Sequence, residues 1–294
     1  MHVPGLRDEI QAQLDVLLPL AGERELVALA MRESVLVPGK RMRPLLLVMA
    51  GRGLGHDGPG LIDLACAVEM VHAASLVLDD MPCMDNAMLR RGRPTIHRHF
   101  GEDVALLAAI GLLSRAFGVV AAAPGIAPAV RAELVGVLSA AIGPQGLVKG
   151  QCQDLRDGAH ARSSDDIATT NELKTCVLFG AALEMAALAA GASPAARQSL
   201  RAFAIHLGHA FQIRDDLQDV DGLMATDKDT GKDNGKSTLF ALLGEEAVRD
   251  RLHDHLRMAR RHLAEVYGPD MAIERLVQTM FADTLHRTDE ILAA

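Results

Sequence analysis

Residues 60–86 read GLIDLACAVEMVHAASLVLDDMPCMDN. From 60 to 78 the charged residues are Asp63 and Glu69, set among Ala, Leu, Val, Ile and Met. The run lacks the alternation of a half-buried strand and is rich in helix formers. It is expected to be a helix that is apolar around most of its circumference, and such a helix belongs in a core. It delivers Asp79, Asp80 and Asp85 to its end, so charge is carried into a place that otherwise reads as interior. On a regular helix Asp79 and Asp85 would lie about 240° apart. Pro82 stands between them and has no N–H for the Leu78 carbonyl, so the helix ends or bulges there. That break can swing Asp85 back toward Asp79.

A second stretch, FQIRDDLQD at 211–219, repeats the pattern with Asp215, Asp216 and Asp219. Asp215 and Asp219 differ by about 40° and share a helix face. One Asp pair at a helix end is ordinarily a solvated cap. Two clusters, each after an apolar helix, call for a cation between the carboxylates. Oxygen-only sets suit Mg²⁺, which is held partly by water and by substrate phosphates. The expectation is two Mg²⁺-binding rims facing one cavity.

Cations accompany the acids. GKRMRP (39–44) supplies Lys40, Arg41 and Arg43, and LRRGRPTIH (89–97) supplies Arg90 and Arg91 directly after the first cluster. Lys174, in ELKT, interrupts an apolar helix; Lys228, Lys232 and Lys236 follow the second cluster. Guanidinium forks match phosphate oxygens and ammonium groups supply point charge. Singly, each is ordinarily solvated surface charge. Arg90-Arg91 stands apart because it adjoins the aspartates. His72 lies two turns before Asp79 and is either an anion contact or a satisfied core residue. Gln151 and Asp154 in KGQCQDL, and Gln212, are either supports for the site or helix–helix hydrogen bonds.

The rest of the 294 residues sets the frame. Hydrophobic residues are 49% and charged residues 23%, an ordinary globular balance. Helices are expected near 5–20, 23–36, 42–54, 60–81, 101–122, 126–142, 145–156, 164–191, 194–220, 237–243, 245–267 and 270–292. Gly and Pro punctuate them, and no repeat or linker is visible, so 1–294 reads as one all-α domain. A net charge of −8 argues against nucleic acid, and aromatic residues at 3% argue against base stacking. Four cysteines without a CxxC pair read as free thiols in a reducing cytoplasm. The N-terminus has no secretory pattern. Residues 104–130 imitate a membrane span, but Arg115 near the middle and recurrent Gly and Pro favour a fully buried central helix followed by a turn. GxSxG, HExxH, GxxxxGK[ST] and GxGxxG are all missing. The chemistry therefore calls for charge stabilisation of a leaving group rather than a covalent intermediate.

Taken together, GKRMRP, DDMPCMD, LRRGRPTIH, GQCQDL, LKT, FQIRDDLQD and GKST resemble the trans-prenyl diphosphate synthases, from about residue 39 to 245. The layout is most similar to the bacterial carotenoid-pathway geranylgeranyl diphosphate synthases. The resemblance implies about ten or more helices around a deep central cavity, a homodimer, and a cytoplasmic Mg²⁺-dependent prenyltransferase. It implies isopentenyl diphosphate on Lys40, Arg43, His72 and Arg91. It implies the allylic diphosphate on Arg90, Lys174, Thr175, Gln212, Lys228 and Lys236. Asp79, Asp85 and Asp215 would be direct metal ligands, with weaker roles for Asp80, Asp216 and Asp219. Asp79, Asp85, Asp215, Lys174 and Arg90 would carry catalysis. Small residues at Ala74 and Ser75, about one turn before Asp79, would let the chain grow past fifteen carbons to about twenty. Alternatives are a farnesyl or longer product, or a non-catalytic subunit. A terpene cyclase would not need GKRMRP and Arg91. Two departures stand out: Arg214 where the family commonly has an aliphatic residue, and Asp227 where Gly is usual, which leaves Lys228 and Lys232 both open as the diphosphate contact.

Overall fold

The computed structural model describes residues 3–157, 163–220, 242–269 and 272–292. The chain runs as α1 (Val3–Leu17), α2 (Leu26–Leu36), α3 (Met42–Gly53) and α4 (Gly60–Asp79), then a hairpin of β1 (Leu89–Arg90) and β2 (Arg93–Pro94). There follow α5 (Ile96–Phe100), α6 (Glu102–Ala122), α7 (Pro128–Ile142), α8 (Leu147–Asp157), α9 (Ser164–Asn171) and a π-helical turn (Glu172–Cys176). The chain closes with α10 (Val177–Ala189), α11 (Pro194–Val220), α12 (Glu245–Tyr267) and α13 (Ala272–Leu292). The all-α expectation is met. The helix expected at 237–243 falls largely outside the described residues.

α4 is the central rod. It packs on α1, α2, α3, α6 and α10. Its Leu64, Ala65, Val68, Met70 and Ala74 have no exposed surface, as an all-round apolar helix requires. α6 departs from the expectation of full burial. Its inner face is covered, but Leu106, Leu107 and Ile110 are 44%, 53% and 61% exposed. The central place is taken by α4, so α6 packs against it on one side only. α4 and α6 are both long and apolar enough to cross a membrane, yet most of α4 is inside the protein. Arg115 of α6 donates through Nε to the Leu17 carbonyl at 2.6 Å and so caps the end of α1.

Three features were not expected. The hairpin and α5 are short and carry no periodic signal. α1 ends at Leu17, three residues early. The helix expected over 164–191 is broken by the π-helical turn. That turn is clamped by two glycines. A Cβ on Gly150 of α8 would stand 2.7 Å from the Lys174 backbone nitrogen, and one on Gly208 of α11 would collide with the Cys176 side chain. Only glycine lets both helices come this close.

α11 and α12 meet through four imidazoles. His206 and His255 bring their Nδ1 atoms within 3.0 Å. His255 stacks on His209 at 4.9 Å, and His206 on His262 at 5.7 Å. Glu172 of the π-helical turn bonds His209, and Glu265 bonds His262. Burial, then His209, His206 and Arg251, push the His255 pKa down to about 4, with Asp254 opposing. Burial and the neighbouring His262 and His209 lower His206 as well. A histidine depressed in the folded state favours folding fully above its unfolded pKa of about 6.5 and loses that contribution as pH falls toward 4. The thermal midpoint is therefore expected to fall between pH 6.5 and 4, and less steeply in His255→Gln. Circular-dichroism melts across that range check it; equal steepness in both proteins refutes it.

Candidate active site

The first acidic cluster is built by the way α4 stops. The Asp80 N–H donates to the Leu76 carbonyl and the Met81 N–H to that of Leu78, both at 3.1 Å. Pro82 then turns the chain back on itself. The Asp85 N–H donates to the Asp79 carbonyl at 2.9 Å, and the Ala87 N–H to that of Asp80 at 3.1 Å. The break at Pro82 thus brings Asp85 beside Asp79, as the sequence suggests. Burial pushes the Asp79 carboxyl up to about 6; Lys174 opposes this, while Asp85 and Asp80 add to it.

The hairpin supplies the next group. Arg91 and Gly92 both have positive φ, 54° and 73°, in a tight two-residue turn that favours such conformations. Arg90 pairs with Arg93 across it. The Arg90 side chain returns to Asp80, donating through Nε to both carboxylate oxygens at 2.8 Å and through Nη2 to Oδ1 at 2.5 Å. Asp80 is buried, and both its oxygens serve Arg90. Arg90, Arg91 and Arg93 line a small, open cleft together with Glu33 and Asp80.

The cations of GKRMRP divide. Arg41, at φ 50°, is buried in the fold and bonds Glu69 at 2.6 Å, Gln11 at 2.8 Å and the Val35 and Val37 carbonyls. Lys40 is exposed in the loop before α3. Arg43 points its Nη1 at His72 Nε2, 3.4 Å away, and lies 4.5 Å over the Phe179 ring. Its Nε is buried without a hydrogen-bond partner. Arg91 lies across Gly39. Burial first, then Arg43, Arg91, Arg90 and Arg41, hold His72 well below the ordinary histidine range, so it is neutral. Burial also lowers Arg43 and Arg91 below the usual arginine range. Arg43 and Arg91 have no carboxylate in ion-pair contact among the described residues, an arrangement with the chemistry to accept a polyanion.

The second cluster is reached through the π-helical turn. Lys174 Nζ donates to Asp154 at 2.8 Å and also acts electrostatically on Asp79 and Asp85. The adjacent Thr175 donates to Gln212 at 3.3 Å, and Gln212 donates to Asp216 at 2.9 Å. Neighbouring residues of one turn thus act on the first cluster electrostatically and reach the second through Gln212. Gln212 and Asp154 are hydrogen-bonding supports here; Gln151 Nε2 is buried without a partner. Asp215 is 39% exposed and accepts from Arg214 Nη2 at 2.8 Å. Lys228, Lys232 and Lys236, and the Asp219 side chain, lie outside the described residues. Phe179, under Arg43, carried no sequence signal beyond its rarity.

Among the described residues the non-glycine residues at positive φ are Arg41, Asn86 and Arg91, and each sits in one of these motifs. Strained backbone held in place this way gathers at functional sites. No three ligand side chains converge on one point among the described residues. Mg²⁺ does not require that, because it takes one or two carboxylates and completes its shell with water and phosphate. The raised Asp79 carboxyl beside Asp85 fits such a cation.

The fold and site define an all-α protein whose carboxylate clusters and arginines suit diphosphate chemistry. The polyprenyl synthetase family matches residues 24–269, and the chain belongs to that family. It is 54% identical over 277 residues to a geranylgeranyl diphosphate synthase of Pantoea ananas, covering 93% of this chain and 90% of that one. It is 50% identical over 286 residues to one of Pseudescherichia vulneris, covering 97% and 92%. A geranyltransferase structure from Helicobacter pylori, complexed with magnesium and isoprenyl diphosphate, superposes with a TM-score of 0.83 at 28% identity, covering 97% of this chain and 96% of that one.

The division of labour in GKRMRP can be checked by stability. Arg41→Met leaves Glu69 charged, buried and unpaired, and is expected to cost about 3–5 kcal/mol of unfolding free energy. Urea denaturation measures it; an unshifted midpoint would remove Arg41 from the framework.

Proposed function

We propose that this enzyme condenses isopentenyl diphosphate with allylic diphosphates to make geranylgeranyl diphosphate. The observation that carries this is the pair of anion sites side by side. One is the Lys174–Thr175 turn between two acidic clusters, and the other is the Arg43–His72–Arg91 group. A cyclase, with one diphosphate substrate, has no use for the second. The names of the two bacterial relatives agree with the product.

In this reading Asp79, Asp85 and Asp215 hold Mg²⁺, which supplies positive charge to the departing diphosphate; Asp216 and Asp219 contribute less directly. Asp80 acts by fixing Arg90 through Nε and Nη2, which leaves Nη1 for the allylic diphosphate. Lys174, Thr175, Gln212, Lys228 and Lys236 bind the same group. The allylic C–O bond breaks, and the double bond of isopentenyl diphosphate attacks the resulting cation. Lys40, Arg43, Arg91 and His72 hold that second substrate. Arg43 has only donors, so His72 Nε2 faces it as acceptor and Nδ1–H is left to donate. The proton is lost to the departed diphosphate, so no separate base is needed. Fixed charges count for more where water is excluded, and water would quench the cation.

Ser75 shares the Asp79 face, about 40° away, and Ala74 is fully buried beside it. In this reading their small size would leave room for a growing chain. The exposed Leu106, Leu107 and Ile110 of α6 give a second copy of the chain an apolar face to cover, which supports a homodimer. The described cysteines are free thiols, in keeping with the cytoplasm.

Purified protein given Mg²⁺, isopentenyl diphosphate and each allylic starter is expected to yield a twenty-carbon diphosphate by mass spectrometry. No product with any starter would favour a non-catalytic subunit. Asp79→Ala or Asp215→Ala is expected to lower kcat at least about 10²-fold; near-normal turnover in both would sink the assignment. Ser75→Phe and Ala74→Phe are expected to shorten the product. A twenty-carbon product from both would place the length gate elsewhere.

A further inference from the structure

We propose that Arg214 is the resident counter-cation of Asp215, keeping Mg²⁺ alone off that carboxylate until a diphosphate arrives with it. The inference rests on the reading of Asp215 as a metal ligand given above.

The position of Arg214 is one where an aliphatic side chain would be expected. Its side chain is 4% exposed. It lies 3.9 Å over the Phe211 ring and 5.5 Å from that of Phe281. Nη1 donates to the Met280 carbonyl at 3.4 Å, and Nε is buried without a partner. Putting a guanidinium in such a place costs several kcal/mol unless a counter-charge compensates it. Among the described residues the carboxylate in contact with it is Asp215, at 2.8 Å. The core around Arg214 has no need of a charge; Asp215 does.

Two consequences follow from that geometry. A metal ion arriving from solvent meets a carboxylate whose Oδ1 already accepts a charge-assisted hydrogen bond. It also meets a fixed positive charge one residue away, held where field lines are poorly screened. Metal without substrate is therefore repelled. A diphosphate reverses the balance, because its negative charge is attracted by the guanidinium and the metal together. Metal affinity at the second cluster becomes coupled to the presence of the anion, as one binding free energy shared between two ligands. Arg214 is thus a positioning residue, and its own position is set by α13 through Met280 and Phe281.

The test is Mn²⁺ binding to the full chain, read by electron paramagnetic resonance with and without inorganic diphosphate. Arg214→Met keeps length and apolar packing while removing the charge. It is expected to bind Mn²⁺ about tenfold more tightly than the parent without diphosphate, with the difference shrinking when diphosphate is present. Arg214→Lys, which keeps the charge, is expected to stay near the parent. The gain is expected to vanish in Arg214→Met/Asp215→Asn. Equal or weaker Mn²⁺ binding by Arg214→Met, or a gain that survives in the double variant, overturns the proposal. If the Met variant does not fold, Arg214→Ile carries the same comparison. Asp215→Asn alone separates the two ideas. If it binds Mn²⁺ with diphosphate as the parent does, the metal reading of Asp215 fails. If it loses binding while Arg214→Met is unchanged, only the role of Arg214 fails.

Discussion

The site depends on the close approach of α8 and α11 to the π-helical turn that carries Lys174 and Thr175. Gly150 and Gly208 make that approach possible, since a methyl group at either would strike the turn. The wider turn changes the direction in which successive side chains leave the helix. Lys174 is thereby linked to Asp154, Asp79 and Asp85, while Thr175 engages Gln212 and through it Asp216. A regular α-helix from 164 to 191 would present these residues differently. This segment links the two acidic clusters, electrostatically to the first and by hydrogen bonds to the second.

Charge pairing inside an apolar bundle organises the rest. Arg41 is given Glu69, Arg90 is given Asp80, and Arg214 is given Asp215. Each pairing offsets the cost of removing two ions from water. Arg43 and Arg91 have no such carboxylate in contact among the described residues, and the nearby His72 imidazole is kept neutral by burial first and by their charge second. Unmatched cations in the interior are tolerated where a substrate anion completes them. The same logic separates a carboxylate-paired arginine, Arg41, from an unmatched one, Arg43, inside one hexapeptide, GKRMRP, where side-chain type alone cannot.

Much of the architecture was legible because it follows from periodicity and breakers. α3, α4, α6, α7, α8, α11 and α12 lie within two residues of their expected bounds where described. The return of Asp85 to Asp79 was legible from Pro82, because a missing N–H has one local consequence. The hairpin at 89–94 was not, since two-residue strands have no alternation to read. The histidine cluster was not either: His206 and His209 lie far in sequence from His255 and His262, and the two pairs meet only when α11 packs on α12. The outer face of α6 is exposed where the composition predicts burial, because an apolar helix reads the same whether a core covers all of it or one side.

The amino-acid sequence by itself determined that this is a helical protein with two carboxylate clusters, a set of cations beside them and small residues one turn before Asp79. These are properties of residue type and short spacing. Tertiary structure decided which cations are paired within the fold and which are left without a carboxylate among the described residues, that Asp80 bonds Arg90, and that Arg214 is paired with Asp215. The physical reason is burial. Whether a charge is matched by a neighbour or left for a ligand is a relation between helices remote in sequence, and it exists only once they are packed.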